Sequence, residues 1–155
     1  MENLGDLARH TLASNRFMIL GTVDPSGRPR VSPLWFSLVD HRRVYWLSSP
    51  DAHQSRNLGE RPEVSIVVFD SSAAPHTGQA VYLEATAGRV PDEELEAACT
   101  EAFRGVEEAL SFTRPTLADE PFVLYRAQVT ASEIHVRGSD FGDGRGSDQR
   151  VPVEL

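Results

Sequence analysis

The chain contains no lysine. Its 155 residues carry 15 basic side chains, all arginine, against 23 acids, for a net charge of −8. That excludes a P-loop lysine, a Schiff-base lysine and any lysine clamp on a phosphate. The acidic balance also argues against a general nucleic-acid or anionic-membrane binder, because both need a basic face. Cysteine is nearly absent. Cys99 stands alone, so there is no internal disulfide and no Cys-x-x-Cys pair, which fits a reducing compartment. The longest apolar runs are about four residues, Phe17 to Leu20 and Ile66 to Phe69. A membrane-spanning helix needs about 20. Met1-Glu2-Asn3 lacks the basic and apolar segments of a signal peptide, and a cytoplasmic protein is expected.

Self-contained catalytic motifs are missing too. There is no Gly-x-Ser-x-Gly elbow, no His-Glu-x-x-His and no Walker A sequence. His10, His41, His53, His76 and His135 are scattered without metal-ligand spacing. Gly142-Asp143-Gly144-Arg145-Gly146 is rich in glycine but follows no strand and opens no helix, so it is not a dinucleotide fingerprint. Cys99 lies on an apolar helical stripe, where a core thiol is expected rather than a nucleophile. An enzyme built from this chain would need a cofactor to carry the chemistry.

What is present is ordinary globular material. Hydrophobic residues make up 40% and charged residues 25%, and the length suits one domain over 1–155 with a substantial core. Leu4, Leu7, Ala8 and Leu12 recur at helical spacing, which predicts a helix over 3–14. Phe17 to Val23 reads as a strand and Asp24-Pro25-Ser26-Gly27 as a turn. Arg30 to Val39 reads as a second strand. Pro33 inside it removes a ladder donor and predicts an edge, a bulge or a ligand. Val44 to Ser48, Val64 to Phe69, Gln79 to Val90, Phe122 to Thr130 and Glu133 to Val136 read as further strands. Helices are expected from Pro50 or Asp51 to about Leu58, from Pro91-Asp92 through Phe103, and over Val106 to Phe112. The Gly-, Asp-, Ser- and Arg-rich stretch 137–150 reads as a flexible tail. Six or seven strands, mostly in meander order, predict a mainly β (α+β) fold: an antiparallel barrel or sandwich with helices at its ends.

Three segments offer an anion and ring site. In Ser48-Ser49-Pro50 a strand ends and a helix begins, so hydroxyls and free helix N–H groups suit a phosphate. Plain N-capping by Ser49 or Asp51, with Gln54 completing a capping box, explains the same residues. The Asp51 carboxylate would repel an anion, and Arg56 would offset it. In Arg28 to Phe36, alternation puts Arg30, Ser32, Leu34 and Phe36 on one face and Val31, Pro33 and Trp35 on the other. Arginine and serine beside bulky apolar groups suit a phosphate and a flat ring; a core Trp35 and a surface Arg30 are the simpler alternative. Thr77-Gly78-Gln79 places an amide at a loop–strand junction, where it would meet a heterocycle edge or merely solvent.

Taken in order, these segments resemble the pyridoxamine 5′-phosphate oxidase-like family of flavin-binding split barrels. The resemblance covers roughly 15–136. It rests on Gly27-Arg28-Pro29-Arg30-Val31-Ser32-Pro33-Leu34-Trp35-Phe36, Val44-Tyr45-Trp46-Leu47-Ser48-Ser49, Arg56-Asn57-Leu58, Arg61-Pro62-Glu63-Val64-Ser65 and the strand from Gly78 to Ala87. It implies a six-stranded antiparallel split β-barrel with flanking helices. It also implies a homodimer with two cofactor sites at its interface, and FMN or the deazaflavin F420 as cofactor. A small organic substrate would exchange hydride with the ring; a non-catalytic flavin carrier or sensor is the alternative. Arg30, Ser32, Pro33 and Leu34 would line the cofactor. Ser48 and Ser49 would meet the phosphate or ribityl chain, with Arg56 nearby, and Gln79 (or Ala80, one residue on) would touch the ring edge. Many members have a lysine where this chain has Gln54, which implies either a reduced phosphate affinity or one shifted to Arg56 and His53. The C-terminal tryptophan and arginine of the true oxidases have no clear counterpart; His135, Arg145 and Arg150 stand in that region, with Arg150 able to dock across the interface. No side chain is an obvious acid or base, His76 being the best candidate.

Overall fold

The computed structural model describes residues 3–140 and 146–155. Helix α1 (Leu4–Ser14) begins at Asn3, whose side chain accepts a hydrogen bond from the Gly5 N–H at 2.9 Å. Strand β1 (Phe17–Val23) then turns through Asp24-Pro25-Ser26-Gly27 into β2 (Pro29–Trp35). The turn is tied by Asp24, whose carboxylate accepts from the backbone of Ser26 and Arg28, each at 2.9 Å, and from the Ser26 hydroxyl at 2.7 Å. Gly27 takes the positive φ of 86° that the turn requires.

The expected second strand is broken at Phe36 into β2 and β3 (Ser37–Val39). Asp40 and His41, both at positive φ, close a tight hairpin into β4 (Arg43–Ser48). Helix α2 (His53–Glu60) leads into β5 (Glu63–Phe69), and a loop joins this to β6 (Ala80–Arg89). After α3 (Leu95–Ala102) and the short α4 (Arg114–Leu117), β7 (Val123–Val136) crosses the sheet and β8 (Gln149–Pro152) pairs with its end. The helical piece expected over Val106 to Phe112 shrinks to a single tight turn at Glu108–Leu110. Edge-to-face packing of Phe112 against Phe103 and Phe122 holds that segment as a loop. The two strands expected between Phe122 and Val136 are one. A register shift around Thr130, whose hydroxyl donates to Glu84 O at 3.1 Å, interrupts the apolar alternation without ending the strand.

The eight strands of the described residues form one antiparallel sheet in the order β2-β1-β5-β6-β7-β4-β3, with β8 added at β7. The outermost strands of that path, β2 and β3, are joined through Phe36 alone. The sheet must therefore curl until its ends meet. Counting β2 and β3 as one bent strand and β8 as an appendage leaves six barrel strands, open along the seam between β2 and β4. Pro33 sits on β2, the edge strand, as its missing donor requires.

Alternation fills the barrel. Met18, Leu20, Val44, Trp46, Ile66, Val68, Val81, Leu83, Ala127 and Ile134 point inward and are almost fully buried, and Ala8 and Leu12 of α1 pack against them. A second, smaller core lies outside the sheet, where Ala98, Cys99 and Ala102 of α3 cover Tyr45 and Leu124. Cys99 is buried there and burial raises its thiol pKa, so it is packing material and not a nucleophile.

Glu101 fastens α3 to the barrel. Arg43 grips it with two hydrogen bonds of 2.9 and 2.6 Å, and the Tyr45 hydroxyl donates to it at 2.5 Å. These partners, Arg43 foremost, hold the Glu101 carboxyl below its usual 4.5. Such a group stabilises the fold above its ordinary pKa and loses that contribution as pH falls through the lowered one. Glu101→Gln is expected to cost about 1–3 kcal/mol near neutral pH. The penalty should shrink as wild type and variant are unfolded in denaturant at pH values below 4.5.

The described parts of 137–150 are not a free tail. Arg137 donates to Gly78 O at 2.7 Å, Gly138 N–H to Asp148 at 2.9 Å, and Gln149 and Arg150 pair with Val136 and His135. The edge of β7 offers unpaired backbone groups, and β8 satisfies them. Arg145 lies outside the described residues.

Candidate functional site

The seam of the barrel is bridged by side chains. Ser32 on β2 donates to Gln54 Oε1 at 3.4 Å, and Gln54 Nε2 donates to the Ser48 hydroxyl oxygen at 2.9 Å. Ser55 Oγ also donates to that oxygen, at 3.4 Å. One turn further along α2, Asn57 Nδ2 donates to Thr22 Oγ1 on β1 at 3.1 Å. A row of hydroxyls and amides thus runs from β2 across α2 to the end of β4.

Local sequence explains how this forms. Ser48 is the last residue of β4 and faces inward in line with Val44 and Trp46. Ser49 is taken up elsewhere: its hydroxyl accepts from Asp51 N–H at 3.2 Å and its carbonyl from Ala52 N–H at 3.1 Å. That turn displaces the helix start from Pro50 or Asp51 to His53. The expected capping box does not form, and Gln54 is free to reach inward across the seam. The alternation expected for β2 is observed. Ser32 lies opposite Leu20, and Leu34 opposite Met18, on the inner face; Pro33 lies opposite Ile19 on the outer one. Arg30 lies opposite Thr22, and both Arg30 and Arg56 are exposed and without an ion-pair partner among the described residues.

Ser32, Ser48 and Gln54 are therefore brought together, with Arg30 and Arg56 beside them on the same two elements. Gln79, His76 and Arg150 are elsewhere in the chain. Gln79 precedes Ala80, which pairs with Phe69 at the end of β5 remote from α2. His76 sits at positive φ in the loop before it, and lines a cavity of about 370 Å³ with His135 and Arg137. Arg150 lies on the outer face of β8 with its guanidinium 3.7 Å from the centre of the Tyr82 ring. A cavity of about 680 Å³ is lined by Val90, Leu95, Leu117 and neighbours outside the barrel and shares no residue with the seam.

Sequence reasoning missed Ser55, Asn57 and Thr22. The signal was a polar residue at an inward position of an otherwise apolar strand, Thr22, and two polar residues on the helix face that also carries the buried Leu58.

Chemically, the seam is a set of neutral donors. Two of its hydrogen bonds are long at 3.4 Å, so the hydroxyls can be redirected at little cost. The Ser48 oxygen accepts twice, which leaves its own proton free to donate. Such donors fit the oxygens of a phosphate, and the flanking arginines supply charge. No group of three or more His, Cys, Asp or Glu among the described residues could hold a metal ion. No helix of the described residues is long and apolar enough to cross a membrane.

An antiparallel barrel, open along one seam that polar side chains bridge, defines a split-barrel protein. The family model described as pyridoxamine 5′-phosphate oxidase matches residues 4–129, and the chain belongs to that family. Among solved structures, a heme binding protein from Mycobacterium smegmatis matches with 21% identity and a TM-score of 0.71, covering 98% of this chain and 59% of its own. The chain thus spans about three-fifths of that protein. A heme storage protein from Vibrio cholerae matches with 26% identity and a TM-score of 0.68, over 88% of this chain and 96% of its own. A FAD-binding protein from Mesorhizobium loti matches with 19% identity and a TM-score of 0.66, over 86% and 94%. No curated protein matches the chain.

Proposed function

We propose that this protein is a flavin- or deazaflavin-dependent oxidoreductase. It works as a homodimer and exchanges hydride with a small organic substrate. The observation that carries the proposal is the hydroxyl–amide row Ser32–Gln54–Ser48 across the barrel seam, flanked by Arg30 and Arg56. It offers a phosphate neutral donors with positive charge beside them, in a chain of net charge −8 that would otherwise repel an anion. Family membership and a FAD-binding neighbour support the same cofactor class. The cofactor, FMN or F420, would supply the hydride chemistry; the chain's part is binding and orientation. Gln79, His76 and Arg150 would reach a cofactor only from the second subunit or from the ring end of the site.

The dimer rests on the outer face of β2-β1-β5. Phe17, Val31 and Phe69 are 61%, 73% and 43% exposed, and Ile19, Pro33 and Val67 lie between them. So much contiguous apolar surface is unusual on a monomer, and a second copy of the same face covers it with two-fold symmetry.

The test is spectroscopic. The purified protein should quench flavin or deazaflavin fluorescence on titration at micromolar concentration, and Arg30→Ala should weaken binding by about 1.5–3 kcal/mol, the range for a hydrogen bond to a charged group. If no such cofactor binds, the proposal fails. Heme is the second reading, favoured by one observation: His76 and His135 line a single cavity with Arg137. Imidazole ligates heme iron and arginine pairs with carboxylates. A Soret band on titration with hemin, lost in the His76→Ala, His135→Ala variant, would replace the flavin assignment.

A further inference from the structure

We propose that the cavity of about 680 Å³ outside the barrel is a second binding site, taking a small monocarboxylate with an apolar body. It lies between the start of α3, the helix α4 and the place where the end of β6 meets the start of β7. It stands apart from the seam and does not depend on what binds there.

The walls of this cavity are fixed. α4 is short, but its first turn is held by a reciprocal pair. Thr116 N–H donates to Thr113 Oγ1 at 3.4 Å and Thr113 N–H to Thr116 Oγ1 at 2.8 Å, with Pro115 presetting the backbone between them. Phe112 braces the same segment, packed edge-to-face on Phe103 and Phe122. On the opposite side, Val90 N–H donates to Leu124 O at 3.0 Å and ties β6 to β7. Held in this way, α4 stands off the sheet and the space between them stays open. Leu95, Leu117, Phe122 and Leu124 give it an apolar lining. A concave site of about 300–1,000 Å³, mostly apolar with a few polar groups, is what a small molecule requires.

The polar groups set the head of the ligand. Arg89 and Arg114 both line the cavity and both are exposed, so they stand at its solvent side. Arg114 meets Asp92, in the tight turn before α3, through one hydrogen bond of 3.1 Å. That pair is 48% and 79% exposed, so it is weak and leaves most of the guanidinium N–H groups free. Arg89 has no ion-pair partner among the described residues. A guanidinium offers a carboxylate two parallel hydrogen bonds. Glu120 is the other acid of the lining and is exposed to water. Asp92 and Glu120 together limit the charge of the ligand. A phosphate monoester would bring about −1.5 to −2 against them, whereas a carboxylate brings one charge. The carboxylate keeps its contact with water at the rim, and the apolar body is buried against the leucines. That body has two sources, an alkyl chain or an aromatic ring.

The experiment is a calorimetric titration with two matched sets: octanoate, octanol and octylamine, and 3-phenylpropionate, 3-phenylpropanol and 3-phenylpropylamine. At least one carboxylate should bind about tenfold or more tighter than the alcohol and the amine of the same body. The tighter of the two carboxylates names the source. In the Arg89→Gln, Arg114→Gln variant that preference over the alcohol should fall below about threefold. Ala118→Trp puts a large ring into the cavity from an exposed position just after α4, and should abolish binding in both sets. All three substituted residues are exposed, so circular dichroism should match the wild type. Amide shifts on titration should centre on Leu95, Leu117 and Phe122. An alcohol or amine that binds as tightly as its carboxylate overturns the proposal. So does a preference that survives the double variant, or binding retained in Ala118→Trp. Failure of both carboxylates to bind at millimolar concentration, or shifts centred on the seam or on the outer face of β2-β1-β5, overturns it as well.

Discussion

Phe17→Asp combined with Val31→Asp is expected to leave a stable monomer. Both side chains project from the outer face of the sheet, where odd-numbered residues of β1 and β2 point away from the core, and both are largely exposed in the single chain. Each apolar side chain buried in a dimer contributes about 1.5–3 kcal/mol. A two-fold interface repeats every substitution, so the double variant removes four such contributions and adds four carboxylates to a chain already at −8. The loss should exceed about 4 kcal/mol, or a thousandfold in the dimer dissociation constant. Sedimentation velocity would show the change from twice the chain mass to one. The monomer should stay folded, since neither residue belongs to the core, but it should melt below the wild type by the stabilisation that dimerisation supplies. If the sites are shared between subunits, flavin affinity should fall together with the dimer. A double variant that sediments as a dimer would place the interface on another face.

The second large effect is expected inside the barrel. Trp46 is 2% exposed and stacks on Tyr125, its neighbour across β4 and β7, with ring centroids 5.8 Å apart. Trp46→Ala should cost about 3–5 kcal/mol through lost burial and the cavity left behind, and lower the melting temperature by roughly 6–20 °C for a domain of this size. Trp46→Phe separates two contributions. The indole N–H is buried without a hydrogen-bond partner among the described residues, a situation that costs about 1–3 kcal/mol. Phenylalanine keeps most of the ring and removes that donor, so it should lose less than half of what alanine loses. Equal losses in calorimetry would mean that the indole N–H has a partner, such as an internal water.

Much of this was legible in the chain. Leu4, Leu7, Ala8 and Leu12 placed α1, Phe17 to Val23 read as the strand it is, and the alternation of Arg30 to Phe36 assigned the correct residues to each face. Those periods survive folding because they are what a half-buried helix or strand must have. Of the edge, bulge or ligand that Pro33 allowed, the structure shows the edge, since proline lacks the donor an interior strand needs. The failures fall where tertiary partners outweigh local preference. Ser49 caps its own turn, which delayed α2 to His53 and turned Gln54 from a cap into the bridge of the site. Thr130 looked like a strand end and is a bulge. Gln149 and Arg150 looked like tail and form a strand, because the β7 edge supplies the partners that their own sequence lacks.

The amino-acid sequence by itself determined the periodicities, the turns, the absence of lysine and the arginine-only charge, since each depends on nothing beyond a few neighbouring residues. Only the tertiary structure decided that Ser32, Ser48 and Gln54 meet. They lie on separate elements, and what joins them is the curling of a sheet whose first and last strands are linked through Phe36. That closure depends on side chains far apart in the chain filling one interior together, and no local pattern encodes such a distance.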